Sequence, residues 1–278
     1  MVIHERIRRG ALFVFFLKIS QKYLTERHVY DIILISTKTK KGVTMLRIEN
    51  LTKRYGEKKA VDGVSLHIQK GEIFGFIGHN GAGKTTTIKN CCGILGFEEG
   101  EIYVDGISIK KDPRACKAKI AYIPDNPDLY GFMSGIQYLN FIADIFGVEA
   151  AVRQERIKKY AETFGLTEVL AQPITSYSHG MKQKLAVISA LIHEPKLMIM
   201  DEPFVGLDPK AAHQMKELMR ELCARGGAIF FSTHVLDVAE KLCDKVAIIK
   251  DGKLIKVGTM DEVKGDTSLE NVFLELVE

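Results

Sequence analysis

Eight residues, Gly78 to Thr85 (GHNGAGKT), constrain this chain more than any others. They satisfy G-x-x-x-x-G-K-[ST] at every fixed position, with the apolar run Ile73-Phe74-Gly75-Phe76-Ile77 before them and the helix-compatible run Thr86 to Leu95 after them. Strand, glycine-rich loop and helix in that order make a phosphate cradle. Gly78, Gly81 and Gly83 have no side chains to obstruct backbone N–H groups pointing at phosphate oxygens, and the helix adds the positive end of its dipole. Lys84 is placed to reach β- and γ-phosphates, and the Thr85 hydroxyl to ligate Mg²⁺. A chance glycine-rich turn would not require those flanks.

Composition narrows the setting. A chain of 278 residues, 46% hydrophobic and 27% charged, is long enough for a sizeable core and reads as globular. Of its 39 Lys and Arg and 35 Asp and Glu, residues 1–44 hold nine and three, leaving 30 and 32 for the body. The body therefore has no cationic excess of the kind that binds nucleic acid, and no nucleic-acid partner is expected. The five cysteines are odd in number and form no C-x-x-C pair, so neither a disulfide framework nor a zinc site is indicated, and a reducing cytoplasm is the simple reading. No apolar stretch approaches the ~18 residues that span a bilayer. A membrane role would need a partner to supply the span.

Residues 1–44 differ from the rest. Arg6, Arg8 and Arg9 precede the apolar Ala11 to Leu17, superficially like a secretory signal but without a small-residue cleavage site. An amphipathic anchor is disfavoured because Leu12 to Leu17 is apolar all round. The segment is read as an extension from a start assigned upstream of Met45, where a well-patterned domain begins. From Met45 to about Lys110 the pattern is strand-like: Val64, Leu66 and Ile68 alternate with polar residues, and Asp105-Gly106 marks a hairpin between Ile102-Tyr103-Val104 and Ile107. Prolines and glycines punctuate the region after residue 112. Helical spacing follows over Ile136 to Phe146 and Val152 to Phe164, and Ser178 is a plausible N-cap for Met181 to Ile192. Leu197 to Met200 reads as a buried parallel strand, Asp208-Pro209 opens a helix to about Ala224, and Ala228 to Phe231 is a second buried strand. Val246 to Ile249, Asp251-Gly252 and Leu254 to Val257 form a last hairpin before a short helix over Leu269 to Val277. Alternating strands and helices predict an α/β fold with nucleotide at the carboxyl ends of the strands.

Three of those strands end in reactive residues: the cradle after Ile77, Asp201-Glu202 after Met200, and His234 after Phe231. Asp201 suits Mg²⁺, Glu202 suits polarising an attacking water, and His234 suits hydrogen bonding to a γ-phosphate as charge develops. Lys84, Glu202 and His234 form the candidate catalytic set. Each alone has a bland alternative, a solubilising strand end or a structural histidine, but all three would have to be bland at once. Tyr55, about twenty residues before the cradle, is either an adenine-stacking ring or an ordinary strand tyrosine.

Together these motifs make residues 45–278 resemble the nucleotide-binding subunit of an ATP-binding cassette (ABC) transporter. The resemblance implies a P-loop NTPase core with an antiparallel β subdomain and an α-helical subdomain inserted at about 126–178. It implies ATP and Mg²⁺ as cofactors and ATP hydrolysis coupled to transport. Tyr55 becomes the adenine-stacking aromatic, and Gly78, His79, Asn80, Gly81, Ala82, Gly83, Lys84, Thr85 and Thr86 the nucleotide cradle. Thr85, Asp125 and Asp201 become the metal set, Gly206-Leu207-Asp208 the D-loop and His234 the switch histidine. The family's LSGGQ signature corresponds to Tyr177-Ser178-His179-Gly180-Met181, which keeps Ser178 and Gly180 and departs at His179 and Met181. In the family this signature caps the γ-phosphate bound by a second nucleotide-binding subunit, so Ser178 and Gly180 would act in trans. On that pattern glycine at 179 is expected to keep or raise activity.

A second departure places Asp125 where the family's Q-loop has glutamine. The following Pro127 to Tyr138 resembles the surface that receives the coupling helix of a transmembrane permease. The implied partners are that permease and a second nucleotide-binding subunit, homo- or heterodimeric, and the implied location is the cytoplasmic face of the membrane. Lys182-Gln183-Lys184 and the ending Leu269 to Leu274 resemble bacterial exporter-type cassettes with separately encoded permeases. The competing function is a soluble ABC ATPase of iron–sulfur assembly or repair; the absence of a heptad run and of metal-type cysteine spacing stands against repair, while a similarly compact iron–sulfur assembly ATPase stays open.

Overall fold

The structure, a computed structural model, describes residues 43–277. The expectations for the first 44 residues therefore lie outside the described residues, apart from those for Val43 and Thr44.

Two sheets organise the fold. The first is antiparallel and four-stranded: β1 (Thr44–Tyr55), β2 (Lys58–Gln69), β4 (Glu99–Val104) and β5 (Ile107–Ser108), in the order β2-β1-β4-β5. The β4–β5 turn is the predicted Asp105-Gly106, and both residues have positive φ, 48° and 81°. That backbone matches the twist of paired strands and suits the Asp-Gly pair.

The second sheet has six strands: β3 (Ile73–Ile77), β6 (Ile120–Ile123), β7 (Leu197–Asp201), β8 (Ala228–Thr233), β9 (Lys245–Lys250) and β10 (Lys253–Thr259). Their order is β10-β9-β3-β8-β7-β6, parallel except for β10. β3, β7 and β8 are buried along their whole length. This is why their sequences read as unbroken apolar runs instead of alternating ones.

Alternation reappears as a choice between two cores. Phe74, Phe76, Ile199, Phe230 and Ile249 face the four-stranded sheet and helix α1 (Lys84–Cys91). Ile77, Met198, Met200, Phe231 and Ile248 face the helices on the other side. The result is three layers with the six-stranded sheet in the middle.

Short α2 (Pro113–Lys117) leads into β6. On the helical side, α3 (Gly135–Ile145) opens with a Ser134–Gln137 capping box, and α4 (Ala150–Phe164) ends at Gly165. Both pack on α5 (His179–Ile192) through Leu139, Ala143, Ile157, Phe164, Leu185 and Ile188. α6 (Pro209–Ala224) begins as expected, with Asp208 accepting a hydrogen bond from the Ala211 N–H at 2.8 Å. α7 (Leu236–Leu242), α8 (Met260–Lys264) and α9 (Leu269–Val277) complete the chain.

Two boundaries differ from the sequence reading. The helix after the cradle runs Lys84–Cys91 instead of Thr86 to Leu95, because Gly83 caps it with φ 109° and Gly93 turns the chain at φ 62°. Strand β8 continues past Phe231 through Ser232 and Thr233, which remain paired with β3 and β7.

Candidate functional site

The cradle is shaped by close backbone approach. A Cβ on Gly78 would lie 2.5 Å from the Ile249 carbonyl oxygen, and one on Gly83 would lie 2.4 Å from that of Ala60. Neither position tolerates a side chain. Lys84, the first residue of α1, folds back into the loop. Its Nζ donates to the carbonyls of Gly78 at 2.6 Å and His79 at 3.3 Å, and sits 3.7 Å from Glu202 Oε1. With 6% of its surface exposed, this ammonium is held by carbonyl acceptors that an incoming phosphate can replace.

The acidic wall comes from the ends of β7 and β8. Asp201 pairs in register with Ser232 and is buried. Its Oδ2 accepts the Thr85 hydroxyl at 2.6 Å, and its Oδ1 accepts the Ser232 hydroxyl. Ser232 Oγ in turn accepts the Glu202 N–H at 3.1 Å. Glu202 itself has φ 47°, a left-handed conformation rare outside glycine, which turns its carboxylate toward the cleft. His234 meets that carboxylate twice: Nδ1 lies 3.0 Å from Oε1, and its backbone N–H donates to Oε2 at 3.3 Å.

A cleft of about 270 Å³ runs along these groups. It gathers the cradle, including His79, Asn80, Gly81 and Thr86, with Asp201, Glu202, Asp125 and Tyr55. Tyr55 keeps 52% of its surface exposed, so a ring face is open at the cleft wall, with Lys53 Nζ 5.5 Å from the ring centroid. His234 joins through Glu202. Ser178 and Gly180 do not join it. They sit at the start of α5, where Ser178 Oγ accepts the Met181 N–H at 3.3 Å.

Thr85 and Asp201 offer adjoining hard oxygen donors at the cleft, which suits Mg²⁺. Among the described residues no cluster of three or more His, Cys, Asp or Glu could hold a metal unaided.

Sequence reasoning missed Ser232, which joins Asp201 to the Glu202 backbone. Its signal was available: a hydroxyl at the end of a buried strand, level with an acid on the next. It also missed Tyr122 of β6, whose hydroxyl is buried without a partner and is made harder to ionise by burial and then by the Asp201 charge. A larger cavity, about 490 Å³, lies at the other end of the sheet near Lys70, Tyr160, Lys196 and Arg225. The amino ends of β7 and β8 approach it and no cradle does, so it is set apart from this chemistry.

Comparison with known proteins agrees with that geometry. Residues 61–205 match the family model described as "ABC transporter". The chain is 36% identical over 230 residues to the linearmycin resistance ATP-binding protein LnrL of Bacillus subtilis, covering 81% of this chain and 74% of that one. It is 33% identical over 239 residues to the ABC-type transporter ATP-binding protein EcsA of the same organism, covering 84% and 97%. A solved ATP-binding subunit of an ABC transporter superposes with a TM-score of 0.81 at 34% identity, covering 84% of this chain and 99% of that one. No helix among the described residues is long and apolar enough to cross a membrane. The chain belongs to the ABC transporter family, as an ATP-binding cassette subunit that hydrolyses ATP.

Proposed function

We propose that residues 45–278 form a cassette that dimerises on ATP and drives a separately encoded permease from the cytoplasmic face of the membrane, with residues 1–44 an extension and about 126–178 the helical insert. The names of relatives, linearmycin resistance among them, favour an exporter-type permease.

In this reading Lys84 exchanges its carbonyl partners for β- and γ-phosphate oxygens, and Tyr55 stacks on adenine. Mg²⁺, held through Thr85 and Asp201, would neutralise phosphate charge. Glu202 takes the proton of the attacking water, while His234 orients that carboxylate and hydrogen-bonds the γ-phosphate. The close Ser232–Asp201–Thr85 contacts keep the acidic wall in place before nucleotide arrives. Ser178 and Gly180, outside the cleft of their own chain, complete the cleft of a second subunit.

The observation that carries the permease reading is an apolar surface close to the cleft. Phe132 is 82% exposed and Tyr130 48%. Tyr130 lies 5.8 Å from Phe132 and 5.6 Å from Phe141 between ring centroids. A cluster of exposed aromatics marks an interaction site, and a short loop joins this one to Asp125 in the cleft. Phe132→Asp is expected to leave ATP binding intact and to abolish sedimentation of the chain with membrane vesicles from its own cells. Undiminished sedimentation would refute docking at this surface.

A further inference from the structure

Of the two departures in the signature segment, His179 and Met181, the structure supplies a neighbour for the first. His179, first in α5, lays its imidazole edge against Gly206. A Cβ on Gly206 would lie 2.6 Å from His179 Cδ2 and 3.0 Å from Nε2, so the ring occupies the space a side chain would take. From the adjacent residue, a Cβ on Gly180 would lie 2.8 Å from the Gly206 carbonyl oxygen. One turn further along, Lys184 Nζ bonds Asp208 Oδ2 at 2.6 Å, while the other Asp208 oxygen caps α6. Residues 179, 180 and 184 thus grip residues 206 and 208 at three points.

The gripped segment leads directly from Glu202. It is a compact turn, with the Val205 N–H bonded to the Glu202 carbonyl at 3.2 Å and the Leu207 N–H to that of Phe204 at 3.4 Å. Gly206 itself sits at φ 79°. A loop with so few internal bonds takes its position from what packs on it: Phe204 is anchored on Phe231, 5.9 Å between ring centroids, and Gly206 meets the start of α5.

We propose that His179 is a positioning residue: through van der Waals contact with Gly206 it makes the start of α5 and the loop after Glu202 move as one body within a single chain. The shape of the ring performs this role, and no proton transfer is involved. The contact reverses the expectation that glycine at 179 would be harmless, since glycine leaves Gly206 unsupported. The inference rests on ATP hydrolysis and on no reading of the permease.

The test uses the full chain with His179→Gly, His179→Phe, Gly206→Ala and the His179→Gly/Gly206→Ala double variant. Steady-state phosphate release gives kcat and KM, and amide hydrogen exchange at Val205 and Leu207 is followed without nucleotide. His179→Gly is expected to lower kcat about tenfold at unchanged KM, the scale of a contact pair's coupling energy. It should also speed exchange at both amides. Phenylalanine at 179 should hold kcat within about twofold of wild type. In the double variant the Gly206→Ala loss should shrink, because its methyl group enters the space the ring has left. Unchanged exchange in His179→Gly, a kcat for His179→Phe as low as for His179→Gly, or losses that simply multiply in the double variant would overturn the proposal. Exchange reads the contact without turnover, so a failed permease or dimer reading would leave that result standing.

Discussion

The nucleotide cleft and the start of α5 differ in how far one chain closes its own hydrogen bonds. In the cleft, Lys84 has two carbonyls, Asp201 two hydroxyls and Glu202 a histidine. Lys84 and Asp201 are satisfied before ligand binds, by partners that phosphate or metal can replace or join, while Glu202 Oε1 is buried beside His234 without a hydrogen bond of its own. At α5, Ser178 and His179 are exposed, and Ser178 meets only the backbone of its own helix. One region is a finished receptor. The other is a helix end whose contacts run sideways, to Gly206 and Asp208.

The largest expected effects separate the two regions. Lys84→Ala should weaken ATP binding to the single chain by about a hundredfold, the loss of charge-assisted hydrogen bonds worth 2–3 kcal/mol. Ser178→Arg should leave that affinity within about twofold while turnover falls, since Ser178 does not line this cleft. Fluorescent-nucleotide titration of both variants decides. Equal losses of affinity would erase the distinction between the regions.

An intermediate effect sharpens the description of the cleft. Ser232→Ala strips a hydrogen bond from buried Asp201 and a partner from the Glu202 N–H, at a cost of about 1–3 kcal/mol in stability. Turnover should fall about tenfold as both acids shift. Chemical denaturation and phosphate-release assays measure the two.

The smallest concerns the far end of α5. His193 stacks on Phe146 at 3.7 Å and donates from Nε2 to the Ile120 carbonyl at 3.2 Å, which leaves Nδ1 buried without a partner. Burial pushes its pKa down to about 4, below the ordinary 6.5. Between those values the unfolded chain binds a proton the folded chain refuses, so stability falls as pH drops from 6.5 toward 4. Acidification to pH 5 should cost on the order of 1 kcal/mol through this ring, allowing for its partial exposure. In His193→Gln that part of the loss should vanish, as urea midpoints at pH 7 and pH 5 would show.

Much of this was legible in the chain because local chemistry dictates it. Asp105-Gly106 and Asp251-Gly252 require positive φ and so announce their hairpins. Asp208-Pro209 and Ser178 announce helix starts, and the apolar runs before Asp201-Glu202 and Ser232-Thr233-His234 announce strands whose ends meet beside the cleft. Contacts between segments distant in sequence were not legible. Ser232 matters because β7 and β8 align it with Asp201, thirty-one residues away, and His179 because α5 passes Gly206. Strand β6 escaped notice because four residues before a proline carry too little pattern to separate strand from loop.

The central claim, that one subunit's cradle works with another's signature, is tested by mixing two inactive chains. Glu202→Gln removes the base and keeps the signature; Ser178→Arg with Gly180→Asp removes the signature and keeps the base. Each chain alone should lack ATPase activity, with Glu202→Gln accumulating ATP-bound dimers. If the site is shared, the mixture pairs an intact cradle with an intact signature, and phosphate release should rise clearly above either parent. If each chain uses its own signature, every site retains a defect and the mixture stays at background.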